Sequence, residues 1–171
     1  KLKNSATSGA GAAGIWQLMP VTAKTLGLKV AGKTDERRNM YKSTAAAAKY
    51  LNELYKQFDD WLLVIAAYNC GAGNVNKAIK KSGSREFWKL QNFLPAETRK
   101  HVKKFIATHF YFEEKGSLVT LTKTERKKHL TSISEPVTQA SGNKQEEPSA
   151  PRNNYFNWIC ISYNDDKLIF E

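Results

Sequence analysis

Carboxamide, hydroxyl and acidic side chains occur where the predicted helices begin or end, and these groups could bind a polar ligand. Gln17 precedes a predicted helix and offers both a carbonyl and an amide for hydrogen bonding. Tyr68 and Asn69 end an apolar run, and Glu97 and His101 lie in the last long predicted helix. Structural alternatives exist: Gln17 as a polar residue near a helix start, Asn69 as a helix C-cap and Glu97 as a favourable first-turn charge. The residue types alone leave these alternatives open.

Other chemistry-bearing patterns are weak. Cys70 and Cys160 fall in different segments, so they form neither a disulfide framework nor a metal-ligand cluster, and we expect no metal and no cofactor. The acidic pair in DERR at positions 35–38 consists of adjacent residues, whose side chains point in different directions. Surface ion pairing with the two arginines is therefore expected there, rather than a catalytic pair of carboxylates.

Helix signals dominate the front part of the chain, and no segment alternates convincingly with a period of two. Pro20 is placed to open a first helix that Gly27 closes. The further helices, with their expected limits, are Thr44 to Phe58 capped by Ser43, Trp61 to Asn69 capped by Asp59 or Asp60 and broken by Gly71 and Gly73, Asn74 to Lys81 ended by Gly83, a short turn with Phe87 and Trp88 capped by Ser84, and a last long helix from Pro95 to near Gly116. The front part is therefore predicted to be all-α.

Three segments occur in an order that points to one enzyme family. They are AAGIWQLMP at 12–20, AYNCGAG at 67–73 and LPAETR at 94–99. In this order they resemble the catalytic domain of the soluble lytic transglycosylases, lysozyme-like enzymes that cut peptidoglycan, with membrane-bound type D members as the nearest kind. The resemblance covers residues 1–115 and implies an all-α, lysozyme-like helical domain of the goose type.

The resemblance also implies one catalytic glutamate, which we do not find in the chain. The family motif has a Glu-Ser pair before a stretch that residues 6–10 (ATSGA) match at its end. Counting back places the glutamate about two positions upstream of Lys1. We therefore interpret the chain as N-terminally truncated and expect it to be inactive by itself.

Substrate-binding roles are implied by the resemblance for Ser8, Gln17, Met19, Tyr68, Asn69, Glu97 and His101. Tyr68 would supply a hydroxyl near the reacting sugar or the acid, and Asn69 would orient substrate or backbone. His101 replaces a tyrosine that commonly supports the acid in the family. A charged histidine would favour the ionised glutamate and oppose its acid role. Trp16 is expected to be a packing residue.

The implied reaction is non-hydrolytic cleavage of the MurNAc-β-1,4-GlcNAc bond, which leaves 1,6-anhydroMurNAc ends. Two alternatives are a non-catalytic peptidoglycan-binding fragment and a lysozyme-type glycoside hydrolase. A nucleic-acid-binding protein is not favoured, because no helix-turn-helix, zinc or RNA-binding signature occurs.

Charge is concentrated in the same part of the chain. The net charge is +11, and residues 1–115 hold 20 Lys and Arg against 9 Asp and Glu. A cationic domain favours a polyanionic partner, which could be nucleic acid, an anionic membrane or a cell wall bearing carboxylates. A merely basic surface on a soluble protein is the alternative.

The rest of the chain differs in composition. We expect an extension and flexible linker over 116–154, rich in Ser, Pro, Gln and Glu from 131 onward, and over 155–171 an incomplete segment of a second, cell-wall-binding module. The longest apolar stretch, Trp61 to Tyr68, is too short to cross a bilayer. The expected protein is a monomer in the bacterial envelope, periplasmic or associated with the outer membrane, with any membrane anchor outside this chain.

Overall fold

A computed structural model describes residues 4–114 and 116–134 of the chain. The chain divides after Glu135, and every described residue belongs to the first part. Residues 135–171, which include most of the predicted linker and the whole predicted second module, lie outside the described residues. Cys160 is in that range, and Lys1 to Lys3 are likewise not described.

Seven α-helices and one small hairpin make up the described part. The elements are α1 Pro20–Thr25, β1 Val30–Ala31, β2 Thr34–Asp35, α2 Met40–Phe58, α3 Trp61–Cys70, α4 Ala72–Ser82, α5 Phe87–Leu90, α6 Ala96–Glu113 and α7 Lys123–Ser134. Short 3-10 turns lie at Glu36–Arg38, Gln91–Phe93 and Leu118–Thr120. The strands pair antiparallel, with Val30 opposite Asp35 and Ala31 opposite Thr34. The prediction of a helical domain is confirmed, with this hairpin as a small addition.

Helix α3 is the centre of the core. Its sequence is apolar on nearly every face, as expected for a helix surrounded by protein. Leu62, Leu63, Val64, Ala66 and Ala67 are fully buried, and they pack against residues of α2, α4, α5 and α6. The predicted cap is confirmed in Asp60, whose Oδ1 accepts from the backbone N–H groups of residues 62 and 63. Both ends of α3 therefore lie where other elements meet.

The predicted starts of α2 at Thr44 and of α4 at Asn74 were wrong, as was one predicted break; α4 begins at Ala72. Helix α2 begins at Met40, because the Asn39 side chain accepts from the Lys42 N–H, and Ser43 is buried within the helix. Asn and Ser cap comparably well, so the sequence offered two candidates four residues apart. Gly73 does not break a helix, because it lies inside α4. Gly71, at φ +86°, is the single residue between α3 and α4.

The other predicted limits agree more closely. Gly27 and Gly83 follow α1 and α4 with positive φ, and Pro95 immediately precedes α6. Ser84 lies two residues before Glu86, the N-cap of α5, and its hydroxyl accepts from the Glu86 N–H. The predicted Ser84 cap was therefore misplaced.

The segment after Gly116 contains a helix, α7, that packs back onto the domain. Asp60 Oδ2 accepts from the Lys123 N–H at 2.6 Å, so this buried carboxylate caps α3 and α7 together. Lys123 pairs with Asp59 at 2.5 Å, and Arg126 donates to the Tyr55 hydroxyl at 2.6 Å. The first part of the predicted extension is thus helical and held by the α2–α3 junction. The division between domain and linker stays a prediction.

Candidate functional site

The C-terminal end of α3 is tied to the turn that precedes α1. The Tyr68 hydroxyl donates to the Trp16 carbonyl at 2.9 Å, across 52 positions of sequence. Burial raises the pKa of Tyr68 far above that of a free phenol, so the hydroxyl stays protonated and remains a donor. The Tyr50 ring packs 5.5 Å from the Tyr68 ring, centroid to centroid. The Tyr68 hydroxyl, predicted to lie near the reacting sugar or the acid, therefore donates its hydrogen bond to the backbone of the turn that contains Trp16.

The same end of α3 is tied to the first turn of α6. Thr98 is 1% exposed, and its hydroxyl donates to Asn69 Oδ1 at 2.8 Å. Asn69 itself is exposed and lies one residue before the last position of α3. These two contacts make the end of α3 the place where all three sequence segments meet.

Gln17 lies in a tight turn and is exposed. Its backbone is left-handed at φ +48°, and its side-chain amide donates to the Gly14 carbonyl at 2.7 Å. Gly14 has φ +76°, and a Cβ at this position would lie 2.0 Å from the Arg37 carbonyl oxygen. Only glycine fits that close approach. Leu18 is buried after the turn, and Met19 is 42% exposed.

The buried Arg37 side chain holds the turn around Gln17 through hydrogen bonds. It is 7% exposed, and its Nη1 donates to the carbonyls of Gly11 at 2.8 Å and Leu18 at 2.9 Å. Its Nε and Nη2 donate to the two oxygens of Asp35, each at 2.9 Å. The hydrogen bond from Arg37 holds the pKa of Asp35 below its usual value. The predicted pairing of Asp35 with arginine is confirmed, but Arg37 is buried and not on the surface.

Two charged residues next to Arg37 in the sequence, Arg38 and Glu36, make further contacts near the turn. Arg38 Nη2 donates to the Thr7 hydroxyl at 2.8 Å, and its Nε lies 3.5 Å from Asp35 Oδ2. Glu36 pairs with Lys42 at 2.5 Å and with neither of the two arginines. Ser8 lies in the loop thus anchored and is exposed; its hydroxyl accepts from the Ala12 N–H at 3.0 Å.

Glu97 and His101 lie on α6 on either side of Thr98 in the sequence, one helical turn apart, and both are exposed. Loss of water around the ring lowers the pKa of His101 below 6.5, while Glu97 opposes this shift and Lys104 adds to it. This shift favours the neutral form of the imidazole.

No acidic side chain within residues 4–114 and 116–134 combines the burial and position that a general acid needs. Asp60 is buried, and burial raises its pKa, but it caps the opposite end of α3, roughly 13 Å along the helix from Asn69. Glu97 is close to Asn69 in the fold but exposed. In the same part of the chain, no group of three or more His, Cys, Asp or Glu gathers as metal ligands would.

Sequence reasoning missed Arg37 and Thr98 as supports of the site. Thr98 lies within a segment already singled out, and Arg37 within a charged cluster that was interpreted as surface. Trp16 behaves as predicted, since its ring packs on the cluster around Leu18 and Ala23 and its Nε1 donates to Thr44 at 2.8 Å.

A family model described as "Transglycosylase SLT domain" matches residues 1–91. The chain belongs to this family. The matched residues include the Gln17 turn and the end of α3, so the transglycosylase SLT domain comprises two of the three segments that meet there. The predicted lysozyme-like fold class is confirmed.

Two relatives named as lytic murein transglycosylases agree with this family assignment. The chain is 43% identical over 143 residues to membrane-bound lytic murein transglycosylase D of Escherichia coli K12, covering 79% of this chain and 31% of that protein. It is 32% identical over 117 residues to a putative soluble lytic murein transglycosylase of Haemophilus influenzae, with 63% of this chain and 19% of that protein covered. The SLT domain chain thus spans less than a third of the length of these relatives.

Among solved structures, the 70 kDa soluble lytic transglycosylase of Escherichia coli superposes with a TM-score of 0.56 at 27% identity, covering 71% of this chain and 21% of that chain. An inactive mutant of lytic transglycosylase Slt from Pseudomonas aeruginosa gives a TM-score of 0.53 at 29% identity, covering 65% and 19%.

Proposed function

We propose that this chain is the glycan-holding part of a peptidoglycan lytic transglycosylase. The observation that carries the proposal is the junction at the end of α3, where Tyr68 and Asn69 join the Gln17 turn to α6 in a chain of the SLT family. Ser8, Gln17, Met19, Asn69, Glu97 and His101 are all exposed around the tied segments. Their amide, hydroxyl and carboxylate groups suit the hydroxyl and acetamido groups of an aminosugar polymer.

The proposed reaction needs one carboxylic acid, which we place upstream of Lys1. The acid protonates the glycosidic oxygen as the bond from C1 of MurNAc to O4 of GlcNAc breaks. The C6 hydroxyl of the same MurNAc attacks C1, and the carboxylate takes the hydroxyl proton. The products are a 1,6-anhydroMurNAc end and a free 4-hydroxyl on GlcNAc, with the acid regenerated. In this scheme the chain positions the strand, and no water enters the products.

An apolar pocket raises the pKa of a carboxyl group, so that it can stay protonated near neutral pH and act as a general acid. The turn carrying Ser8 and Gln17 is anchored by Arg37 and Arg38. Glu97 is exposed on α6 and lacks such a pocket, which supports a glutamate elsewhere as the acid.

The experiment is digestion of purified peptidoglycan by a form extended upstream through the expected glutamate. Mass spectrometry should find muropeptides with anhydro ends, 18 Da lighter than their hydrolysed counterparts. Reducing-end muropeptides in their place would mean lysozyme-type hydrolysis and would reject the mechanism. The Glu→Gln form of the extended protein is the matched control.

A binding fragment without turnover is the second candidate for the chain by itself, favoured by the absence of a suitably buried acid near Asn69 among the described residues. The 171-residue chain should then sediment with insoluble peptidoglycan at low salt and be released as salt rises, since the excess of positive charge contributes to binding. No retention at low salt would reject glycan binding.

We propose a bacterial envelope location, in the periplasm or at the outer membrane, because the relatives include a protein named as a membrane-bound murein transglycosylase. In the described portion of the chain, no helix is both long and apolar enough to cross a membrane. The proposed partner is the glycan strand, bound by a monomer.

A further inference from the structure

We infer that Thr98 is a positioning residue that sets the side-chain amide of Asn69 as a hydrogen-bond donor toward the glycan. The inference rests on the proposed function, because it assigns the ligand group that Asn69 meets. That group is a carbonyl acceptor, and in an aminosugar polymer the acetamido carbonyl is the acceptor of this kind.

Burial forces the Thr98 hydroxyl to find an acceptor. The residue is 1% exposed in the first turn of α6, and a buried hydroxyl without a partner is costly. Asn69 Oδ1 lies 2.8 Å from Thr98 Oγ1 and accepts the proton. The neighbouring Cys70 thiol is the weaker acceptor, since sulfur accepts hydrogen bonds poorly.

The orientation of Asn69 follows from this contact. A carboxamide carries its oxygen and its nitrogen on opposite sides, so an oxygen held by the buried Thr98 leaves the nitrogen on the exposed side. Within the described residues, no protein acceptor receives a hydrogen bond from Asn69 Nδ2. Both of its hydrogens are therefore available to a ligand.

Gln17 presents the opposite polarity. Its amide nitrogen already donates to the Gly14 carbonyl, so the exposed side chain offers its carbonyl oxygen as an acceptor. Asn69 and Gln17 together thus supply one donor group and one acceptor group. An acetamido group has the complementary pair, a carbonyl oxygen and an N–H. A neutral glucan has neither group of the amide.

The test compares Thr98→Val with Thr98→Ser in the full 171-residue chain. Valine keeps the shape and removes the hydroxyl, whereas serine keeps the hydroxyl. Isothermal titration with tetra-N-acetylchitotetraose should show affinity reduced about three- to tenfold in Thr98→Val, the effect of one misdirected hydrogen bond, and within twofold of the wild type in Thr98→Ser. Cellotetraose, which lacks acetamido groups, should bind weakly and equally to all three.

A double-mutant cycle separates positioning from a general effect on folding. In an Asn69→Ala background, Thr98→Val should cause no further loss of affinity, because the group that Thr98 orients is gone. An equal loss in that background would overturn the inference. Equal affinity of the valine and serine variants would do the same.

NMR of the wild-type chain gives a reading that does not depend on any variant folding. Saturation with tetra-N-acetylchitotetraose should shift the side-chain ¹H–¹⁵N pair of Asn69, and an unshifted pair at saturation would overturn the inference while leaving glycan binding intact. Absence of any binding by the wild-type chain would reject the proposed function, and this inference with it.

Discussion

Replacing Arg37 by methionine should remove most of the support beneath the candidate site. Methionine fills a similar volume but carries no donor. The change removes two charge-assisted hydrogen bonds to Asp35 and two to the carbonyls of Gly11 and Leu18. The loss leaves Asp35, only 22% exposed at its side chain, without its main partner.

Removing one partner of a buried ion pair costs about 3–5 kcal/mol. Partial exposure of Asp35 places the expected loss near the lower limit, about 3 kcal/mol, for a domain whose total stability is about 5–15 kcal/mol. Arg38→Met is the matched control, because the Arg38 side chain is 38% exposed and its ion-pair distance to Asp35 is longer, at 3.5 Å. An exposed pair contributes less than about 1 kcal/mol.

Urea unfolding followed by circular dichroism at 222 nm measures both variants, with equal m-values required for the comparison. A further expectation concerns pH. Since Arg37 lowers the folded-state pKa of Asp35, the stabilisation is complete above the unfolded-state value near 4 and disappears as pH falls through the lowered one. The Arg37→Met protein should show a smaller acid-dependent loss, since only the backbone N–H of residue 37 and the Arg38 charge would still lower the pKa of Asp35. Equal destabilisation by the two arginine substitutions would refute the assignment of Arg37 as the buried anchor.

Three further outcomes follow from particular contacts. Gly14→Ala should destabilise the domain by more than about 2 kcal/mol, because the new Cβ meets a backbone oxygen at positive φ, whereas Gly9→Ala, with open space around it, should stay within about 0.5 kcal/mol in the same urea assay. Asp60→Asn should cost about 1–3 kcal/mol, because one of the two helix N-termini loses its oxygen acceptor; a change in melting temperature below 2 °C would contradict this. The His101 imidazole should titrate by ¹H NMR with a midpoint below 6.5, and Glu97→Gln should lower it further, since Glu97 raises this pKa; an upward shift would be the contrary result.

Local signals were enough to predict most helices. The apolar run of α3, its Asp60 cap and the glycines after α1 and α4 each act within a few residues of the feature they determine. The Ser43 prediction failed for a related reason, since Asn39 is an equally good local cap and the structure uses it. Where two local signals compete, only packing of the completed fold decides between them.

Helix α7 could not be predicted from periodicity. Its surface is mostly polar, with Leu130 and Ile133 exposed, so no apolar stripe marks it. Its anchors are Asp60, Asp59 and Tyr55, more than sixty positions away in the sequence. A segment held by such contacts has the composition of a linker and still folds against the domain.

In the candidate site, too, some residues could be predicted from the sequence and others could not. The exposed residues were singled out by the family resemblance, which rests on the order of short sequence segments, and their binding roles stay predictions. Their partners were not, because a buried Thr98 or Arg37 is chosen by geometry that forms only when distant segments meet. The approach of Gly14 to the Arg37 carbonyl shows this most directly, since no pattern within residues 12–20 refers to residue 37.

The backbone of Gln17 connects these buried partners to function. A non-glycine residue at φ +48° is about 1 kcal/mol less stable than in an ordinary conformation, and it persists only where the surroundings determine it. On one side the Trp16 carbonyl is held by Tyr68, and on the other the Leu18 carbonyl is held by Arg37. The strained residue is thus fixed through both neighbours by the side chains of Tyr68 and Arg37. Because the exposed amide of Gln17 has its direction from that backbone, Arg37→Met should weaken glycan binding although the Arg37 side chain is itself buried.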